Sequence, residues 1–378
     1  MNRPTASPRL HVGIVATSAE HGGAEAHIER IWTHPVIADR VEGHLLGSLP
    51  HWSETGLAAS DLGLVAKWSY RRAARSVASI PFLAVRTVRR IRRLHEQSAF
   101  DAFYAHFKRE QVLLTRRLSR VAPVIWMEHG HFPAGRLRRP LAAAYRFASR
   151  RVSTIICVSA SVRDDIASIV GPNGPRIVVI ENAIDPAWLM PADAAQRSAA
   201  RRTFGVPDDA ALVVAVVARL IPRKRVHLAI EAAAEIDECW VIVCGSGPLD
   251  TDLRRLAADN PRIHFTGYLA DPRPVYTAAS VSLLASWEEG FGQVLLEGAC
   301  ADLPAVVVAD SGFADRVHGW GSVADEPTGA SVAAALRAAA TIPAGTARRW
   351  AETHGPDTWA DQHLTLLERL VEAPRLNA

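Results

Sequence analysis

Short runs of consecutive apolar residues alternate along the chain with longer Ala-rich segments of helical spacing. Such runs are typical of strands that are buried on both faces of a parallel sheet. They fall into two series. The first series comprises HVGIVA (11–16), FDAFYAH (100–106), APVIWME (122–128), VSTIICVS (152–159) and RIVVIEN (176–182). The second series comprises ALVVAVVAR (211–219), CWVIVCG (239–245), RIHFTG (262–267), SVSLLAS (280–286) and PAVVVAD (304–310).

Two series of strands separated by helices predict an α/β fold with two doubly wound parallel-sheet domains. The length of 378 residues is also that of two domains. A segment with prolines and many polar residues, Asn182–Arg202, separates the series, and the boundary is placed at its start. We expect an N-terminal domain over 1–183, a C-terminal domain over 184–356, and a closing helix within 357–378, where apolar residues recur at helical spacing.

Composition narrows the class of protein. No apolar run reaches the roughly 18 residues that a membrane-spanning helix requires. The apolar start at 10–16 contains a histidine and precedes a Gly-rich turn, which indicates a first strand rather than a secretory signal. The four cysteines are scattered in apolar surroundings, so we expect reduced, buried thiols in a cytoplasmic protein rather than a disulfide framework.

Positive charge is concentrated in the segment 67–93, which contains nine basic residues and no acid, within a chain of net charge +4. The simpler interpretation is a solvated helix face. The alternative is a surface that attracts an anionic substrate or anionic lipid headgroups, which would place the protein at the inner membrane face. No nucleic-acid recognition module is evident, so nucleic acid is not expected as a partner.

Residues that follow each strand are the first candidates for a site, because ligands of doubly wound sheets bind outside the carboxyl ends of the strands. Gly22 and Gly23 precede a helix expected to begin near Ala24. They either let the backbone approach an anion at the helix start or form a plain turn. His129 and His131 follow a later strand and are either structural or catalytic. No set of ligands with zinc spacing accompanies them.

Arg219 and Lys224 follow the first strand of the second series. Together they can hold a diphosphate, the arginine as a planar fork and the lysine as a point charge. Lys224 is one of three lysines in a chain with 40 arginines, and its rarity favours a functional role for this lysine. A solvated loop that includes Arg223 and Arg225 is the alternative. The glycines at 245 and 247 lack the third glycine of a dinucleotide fingerprint, and they indicate a turn.

The stretch SWEEGFGQVLLEGAC carries two carboxylates around a glycine turn. Gly290 and Gly292 allow the backbone to bend so that the amides of 291–294 face a diphosphate at the start of a helix. Glu289 precedes this helix and Glu297 lies within it. Carboxylates accept paired hydrogen bonds from vicinal hydroxyls, so a sugar at each end of a diphosphate fits their spacing. An unpaired acid at 297 among apolar neighbours would be costly.

Taken together, these residues resemble the retaining nucleotide-sugar glycosyltransferases of the GT-B fold, family 4. The segments ARLIPRK, GSGP, FTGYL and EEGFGQVLLE occur in the family's order between Ala218 and Ala299, and GGAE, EHG, CVS and ENAID match landmarks of the first half. The resemblance implies two Rossmann-like domains that face a central cleft, with a C-terminal helix that returns to the N-terminal domain.

The resemblance also implies roles for individual residues. Arg219 and Lys224 would bind and neutralise the donor diphosphate, Glu289 would hold hydroxyls of the donor sugar, and His129 would line the cleft at the reacting sugar. The remaining donor-binding residues would be Gly22 and Gly23 from the first domain, Leu269 at the base, Gly290, Phe291, Gly292 and Gln293 at the phosphate or sugar, and Glu297 at the ribose.

Four departures from the family pattern are present. Ala183 stands where the family usually has glycine, and Arg225 stands where glycine commonly follows the lysine. Gly298 follows the second acid in place of the common alanine. After VVVADSGF, the usual Gly-Gly and acidic turn is replaced by FADRV. None of these departures removes a charged contact.

The implied activity is transfer of a sugar from a nucleotide-sugar, with uracil expected and guanine as the alternative base, to a hydroxyl of a small-molecule or lipid-linked acceptor. Transfer would occur on the front face, with retention and without a metal or other cofactor. Two alternatives are another GT-B enzyme, such as a sugar-nucleotide epimerase or a phosphorylase, and a non-catalytic scaffold that binds a partner.

Overall fold

The computed structural model describes residues 9–19, 22–62, 80–258 and 260–372. It contains two compact units, which are Met1–Asn182 together with Pro356–Ala378, and Ala183–Gly355. Each unit is built on one parallel β-sheet flanked by helices. The predicted α/β class with two doubly wound parallel sheets is therefore confirmed.

The first unit contains a sheet of seven parallel strands. These are β1 (Leu10–Thr17), β2 (Val41–Ser48), β3 (Ala58–Ser60), β4 (Ala102–Ala105), β5 (Val124–Glu128), β6 (Thr154–Cys157) and β7 (Arg176–Val179), in the order β3-β2-β1-β4-β5-β6-β7. The five strands expected from apolar runs are present. β2 and β3 were not predicted. The sequence of β2, VEGHLLGS, mixes polar residues and glycine with apolar ones, and β3 is a short and largely exposed edge strand.

Helices cover this sheet because its strands are apolar on both sides. Six of them are α1 (Gly23–Thr33), α2 (Pro35–Arg40), α3 (Ile80–Ser98), α4 (Lys108–Leu118), α5 (Arg138–Ser149) and α6 (Ala160–Val170). Every residue of β4, β5 and β6 is buried, as expected for central strands of a doubly wound sheet. At the start of α6, the hydroxyl of Ser159 accepts a hydrogen bond from the amide of Val162 and caps the helix.

The second unit contains six parallel strands. These are β8 (Leu212–Val217), β9 (Cys239–Cys244), β10 (Ile263–Gly267), β11 (Val281–Leu284), β12 (Ala305–Val308) and β13 (Gly321–Ala324), in the order β10-β9-β8-β11-β12-β13. Over its described residues, the α-helices of this unit are α7 (Ala194–Thr203), α8 (His227–Ala234), α9 (Asp250–Leu256), α10 (Arg273–Ala278), α11 (Gln293–Cys300), α12 (Gly329–Ala339) and α13 (Thr346–Glu352). β13 was not predicted, because its four residues, GSVA, form no continuous run of large apolar side chains.

Alternate residues of β8 enter different halves of the core. Val214 and Val216 pack in an apolar cluster with residues of α8 and α12, whereas Val213 and Ala215 pack in a second cluster with residues of α10. A strand that is covered on both faces needs apolar residues at consecutive positions, which explains the unbroken run LVVAVV.

The last helix, α14 (Pro356–Glu372), belongs to the first unit although it follows the second in sequence. Its Trp359 ring lies edge-on to the His27 ring, with 5.2 Å between the centroids. Its Glu368 accepts a hydrogen bond of 2.6 Å from Arg40 at the end of α2. These contacts attach α14 to α1 and α2 of the first unit.

The four cysteines are all buried and free. Over the described ranges, the helices are all too short or too polar to traverse a lipid bilayer. Of the basic segment 67–93, the part up to residue 79 lies outside the described residues, and the remainder forms part of α3.

The turn after β9 brings two backbone segments into direct contact. The amide of Ala218 donates to Cys244 and the amide of Leu220 donates to Ser246, each at 2.9 Å. A Cβ atom on Gly245 would lie 1.9 Å from the carbonyl oxygen of Ala218. The glycine therefore permits this approach, which fixes the backbone on both sides of Arg219.

We predict that Gly245→Ala destabilises the protein by about 3 kcal/mol or more, because the new methyl group collides with backbone that cannot rotate away. Gly205→Ala is the matched control, since Gly205 also has a positive φ of +67° but nothing lies within 4 Å of a Cβ atom there. The control should cost roughly 1–2 kcal/mol from backbone strain alone. Urea unfolding followed by circular dichroism measures both, and equal losses would contradict the steric explanation.

Candidate functional site

The candidate residues of the second unit follow the carboxyl ends of its strands. Arg219 and Lys224 follow β8, Leu269 follows β10, and Glu289 follows β11. The strands are parallel, so these loops emerge at the same edge of the sheet.

Lys224 and Glu289 form a largely buried ion pair at this edge. The ammonium lies 2.5 Å from a carboxylate oxygen, and each side chain is 13% exposed. Burial lowers the pKa of Lys224 against the opposing attraction of Glu289, and the charges of Arg223 and Arg219 lower it further. Burial alone would raise the pKa of Glu289. The charge and hydrogen bond of Lys224, together with the charge of Arg223, outweigh burial, and the pKa lies below its ordinary value. The structure therefore brings these two predicted residues into direct contact.

Arg219 lies close enough to Lys224 for its charge to affect the lysine, yet its own side chain is exposed. The edge of the sheet thus presents an exposed guanidinium beside a buried ammonium. Such a pair suits a ligand with several anionic oxygens, because the guanidinium has a planar fork of donors and the ammonium has two N–H donors besides the one that binds Glu289.

The loop between β11 and α11 is anchored by an aromatic side chain. Phe291 is 3% exposed and packs edge-on against Phe313, with 5.8 Å between the ring centroids. The guanidinium of Arg316 lies 5.4 Å from the Phe291 ring. Gly292 has a φ of +77° and caps the start of α11 at Gln293. The Phe291 side chain is therefore part of the core, which leaves the backbone of this turn as its contribution to a ligand.

Glu297 has a partner that the sequence analysis missed. The hydroxyl of Tyr276, on α10, donates a hydrogen bond of 2.8 Å to the Glu297 carboxylate. Burial, together with the negative charge of Glu297, raises the pKa of Tyr276 well above its ordinary value, so it remains a hydroxyl donor. The adjacent Gly298 is needed because a Cβ atom there would lie 2.9 Å from the Ser282 hydroxyl. The departure from the family pattern at 298 thus has a packing reason.

Leu269 lies near Glu297 around the Cys244 thiol. Burial raises the pKa of this thiol, a hydrogen bond with the Leu269 backbone lowers it, and the charge of Glu297 raises it. The proposed base-binding backbone and the proposed ribose-binding acid are therefore neighbours at the end of β9.

In the first unit, His129 belongs to a cluster of four histidines. Its Nε2 atom lies 3.1 Å from Nδ1 of His106, and its ring centroid lies 5.4 Å from that of His27. The His363 ring on α14 is 6.4 Å from His27. Sequence analysis identified His129 but not the other three, because α1, the loop after β4 and α14 are far apart in the chain.

The cluster is neutral at physiological pH. Burial lowers the pKa of His129 and of His363 to about 3 in each case. Burial also places the pKa of His27 and of His106 well below the ordinary value. His129 can therefore exchange hydrogen bonds as an imidazole, but it carries no charge near neutral pH.

Two other residues around the EHG motif have structural partners. Glu128 accepts a hydrogen bond from Lys108 and another, of 2.6 Å, from the hydroxyl of Tyr145. His131 lies 3.1 Å from the Ser161 hydroxyl and 3.5 Å from a carboxylate oxygen of Asp165. These contacts favour the structural interpretation of both residues.

The glycines before α1 adopt an ordinary backbone conformation. Gly22 caps the helix with an extended φ of −149°, and the helix begins at Gly23, one residue before the expected start. Positive φ therefore does not explain Gly22.

The described ranges contain no candidate metal site, and the described arginines of the basic segment are exposed. Within them, no three His, Cys, Asp or Glu residues are grouped so as to hold a metal ion. The described arginines of the basic segment all lie exposed on α3. They are Arg86, Arg89, Arg90, Arg92 and Arg93.

We predict that acid destabilises the first unit through the histidine cluster. The folded-state pKa of His363 lies below its unfolded value near 6.5, so the unfolded chain binds a proton first, and stability falls from about pH 6.5 towards pH 3. Between pH 7.5 and 5.5, this one residue should cost about 1.4 kcal/mol, and His363→Gln should remove that share of the loss.

His51→Gln is the control, because the exposed His51 has a pKa that is raised by a hydrogen bond to Glu54. Its substitution should not weaken the acid dependence. Urea midpoints at several pH values give the measurement, and an unchanged slope in His363→Gln would contradict the prediction.

The chain is similar to known glycosyltransferases in sequence and in fold. A model described as Glycosyltransferase Family 4 matches residues 56–188, and one described as Glycosyl transferases group 1 matches residues 211–341. A 2-deoxystreptamine glucosyltransferase of Streptomyces kanamyceticus is 29% identical over 194 residues, which are 48% of this chain and 49% of that protein. A D-inositol 3-phosphate glycosyltransferase of Corynebacterium efficiens is 33% identical over 213 residues, or 51% and 43% of the two chains. The chain thus spans about half the length of these relatives.

Among solved structures, HepE from Anabaena, in a crystal structure with UDP and glucose, matches with a TM-score of 0.77 at 20% identity. The match covers 96% of this chain and 100% of that one. The chain therefore has the fold of the GT-B glycosyltransferases and is related to glycosyltransferases in sequence over much of each unit.

Proposed function

We propose that the protein is a retaining glycosyltransferase that moves a sugar from a nucleotide-sugar to a hydroxyl of a small-molecule or lipid-linked acceptor. The ion pair between Lys224 and Glu289 carries this proposal, since it sets a cation for a diphosphate against a carboxylate for sugar hydroxyls. Two named glycosyltransferases among the relatives support it. The UDP bound by HepE supports a UDP-sugar as donor, with a GDP-sugar as the alternative.

The diphosphate would rest at the amino end of α11, where backbone N–H groups and the helix dipole favour an anion. Arg219 and Lys224 would oppose its charge from the β8 loop. As the bond from the anomeric carbon to the phosphate oxygen lengthens, negative charge builds on the departing diphosphate. Fixed positive charge stabilises this charge more in the transition state than in the bound donor.

The acceptor hydroxyl would attack the anomeric carbon from the face that the diphosphate leaves. A bond forms between the acceptor oxygen and that carbon, the bond to the phosphate oxygen breaks, and the acceptor proton passes to the departing phosphate. Configuration is retained, and the step requires no side-chain base. Because cationic side chains supply the positive charge, we propose that transfer proceeds without a metal ion.

Glu289 and Glu297 would hold the two sugars of the donor. The Lys224 ammonium donates to the Glu289 carboxylate and the Tyr276 hydroxyl donates to the Glu297 carboxylate. An ionised carboxylate has about four acceptor positions, so each acid retains capacity for vicinal hydroxyls. Tyr276 would orient Glu297 for the ribose. His129 stays a candidate contact to the reacting sugar, as a neutral imidazole.

The exposed arginines of α3 support a peripheral contact with anionic lipid through the basic segment, which would bring the enzyme to a lipid-linked acceptor. We propose this membrane contact for the case of a lipid-linked acceptor. A small-molecule acceptor would make it unnecessary.

The test is a panel of UDP-sugars and GDP-sugars, each incubated with candidate acceptors, with and without anionic vesicles and EDTA. Mass spectrometry identifies the products and calorimetry measures nucleotide binding. Transfer to an acceptor supports the proposal, whereas an altered sugar without an acceptor indicates an epimerase. Absence of any nucleotide binding would indicate a scaffold and would overturn the proposal.

We predict that Lys224→Met and Glu289→Gln each lower turnover by about 100-fold to 1000-fold. The first removes positive charge that stabilises the departing diphosphate, and the second weakens the contacts that position the donor sugar. Each single change also leaves one buried charge without its partner, at a cost of about 3–5 kcal/mol.

The double variant Lys224→Met/Glu289→Gln separates the two effects. It leaves no lone charge, so its urea midpoint should recover towards wild type while turnover remains low. Asp250→Asn, which weakens the exposed pair of Asp250 with Arg254, should leave both quantities unchanged. A double variant with near-normal turnover would refute the roles assigned to the pair.

We predict that Tyr276→Phe weakens UDP binding roughly tenfold, or about 1.4 kcal/mol, with less effect on kcat, because Glu297 loses the hydrogen bond that would orient it towards the ribose. Tyr145→Phe is the matched control, since its hydroxyl donates to a glutamate in the first unit and should not affect UDP affinity. Calorimetry with UDP measures both variants. Equal affinities for wild type and Tyr276→Phe would contradict the role given to Tyr276.

A further inference from the structure

Arg225, directly after Lys224, has a backbone conformation that arginine rarely adopts. Its φ of +45° and ψ of +39° are left-handed, where a side chain meets its own backbone and glycine is favoured. Among the described residues, five that are not glycine have positive φ, and two of these, Arg225 and Glu288, flank the pair of Lys224 and Glu289. Strained backbone of this kind concentrates at functional sites when surrounding contacts hold it in place.

The side chain of Arg225 supplies such contacts. Its two terminal nitrogens donate to the two carboxylate oxygens of Asp310, each at 2.7 Å. Its guanidinium also lies 5.0 Å from the centre of the Trp287 ring. The arginine is 16% exposed, although its partner Asp310 is 48% exposed. Arg225 lies in the loop after β8, Trp287 in the loop after β11 and Asp310 in the loop after β12, which are called the β8, β11 and β12 loops. One side chain thus connects all three loops.

The same three loops are joined by backbone hydrogen bonds around Glu289. The amide of Trp287 donates to Arg223 at 3.2 Å. The amides of Glu288 and Glu289 donate to the carbonyls of residues 310 and 311, at 3.2 and 2.7 Å. Arg225 contacts Trp287 and Asp310, which take part in the first two of these hydrogen bonds. Its side chain therefore reinforces the backbone contacts on both sides of Glu288.

We propose that Arg225 is a positioning residue, whose clamp on Asp310 and Trp287 fixes Glu289 and Lys224 in the geometry that the donor sugar requires. This inference rests on the proposed function of the same site. Without the clamp, the left-handed Glu288 can relax and carry Glu289 with it. A displacement of about 1 Å at a reacting group can lower a rate by two orders of magnitude, even when binding persists.

A merely structural role would give a different signature. Asp310 is half exposed, so solvent screens its charge and limits what this pair contributes to stability. Replacement of Arg225 by glycine also relieves the left-handed strain, so the folded state should survive. The effect should therefore appear in kcat rather than in the urea midpoint or in nucleotide affinity.

The experiment uses the full chain with Arg225→Gly, Asp310→Asn and the double variant. We expect kcat to fall 10-fold to 100-fold in each single variant, with the dissociation constant of UDP within threefold of wild type. The double variant should be no slower than the slower single variant, because both changes break one clamp. Asp271→Asn is the matched control, since it alters an exposed aspartate–arginine pair of the same unit. It should leave kcat unchanged.

Amide hydrogen exchange without ligand provides a readout that does not depend on turnover. The peptide covering 287–290 should exchange faster in Arg225→Gly and Asp310→Asn than in wild type. Faster exchange with kcat within twofold of wild type would show a structural clamp alone and would overturn the positioning role. Unchanged exchange with unchanged kcat would overturn the clamp itself.

The outcomes separate this inference from the function on which it rests. A wild-type chain that turns over no donor overturns the proposed function, and the positioning role falls with it. An active wild-type chain whose variants keep their kcat overturns the positioning role alone.

Discussion

A buried ion pair at the carboxyl edge of the second sheet determines how the surrounding loops can be arranged. Lys224 and Glu289 are 65 positions apart in the chain, yet their charged groups lie 2.5 Å apart, out of contact with most of the solvent. A buried charge without its partner is costly, so the β8 and β11 loops must reach this edge together. The hydrogen bonds from 288 and 289 to the β12 loop, and the fork from Arg225 to Asp310, complete the same arrangement.

The apolar pattern predicted most of the fold because both sheets are covered on both faces. Ten strands were expected from unbroken apolar runs, and all ten are present. Unbroken apolar runs do not mark β2, whose sequence VEGHLLGS includes polar residues and glycine, or the short strands β3 and β13. Edge and short strands bury less surface, so their sequences are less constrained.

Candidate residues that stand beside glycine turns and strand ends could be predicted from the sequence. Partners that only the folded chain brings near them could not. Lys224, Glu289 and Glu297 stand out because charged residues beside glycine turns and strand ends have few structural explanations. Their partners do not stand out. Tyr276 lies 21 positions before Glu297 on another helix, and the spacing of the chain contains no sign of their contact. The neutral histidine cluster likewise joins α1, the loops after β4 and β5, and α14, and only folding brings these rings together.

The return of α14 to the first unit has a consequence for synthesis. The second unit is one continuous stretch, Ala183–Gly355, so all of its strands have been translated before α14 emerges from the ribosome. The first unit lacks Trp359 and His363 until then, and His27 has neither ring against it. Domains fold as units during translation, at about 5–20 residues per second. The first unit is therefore translated first but completes its packing last, when α14 is added. A nascent-chain fragment ending near residue 182 would expose an apolar surface for chaperones to bind.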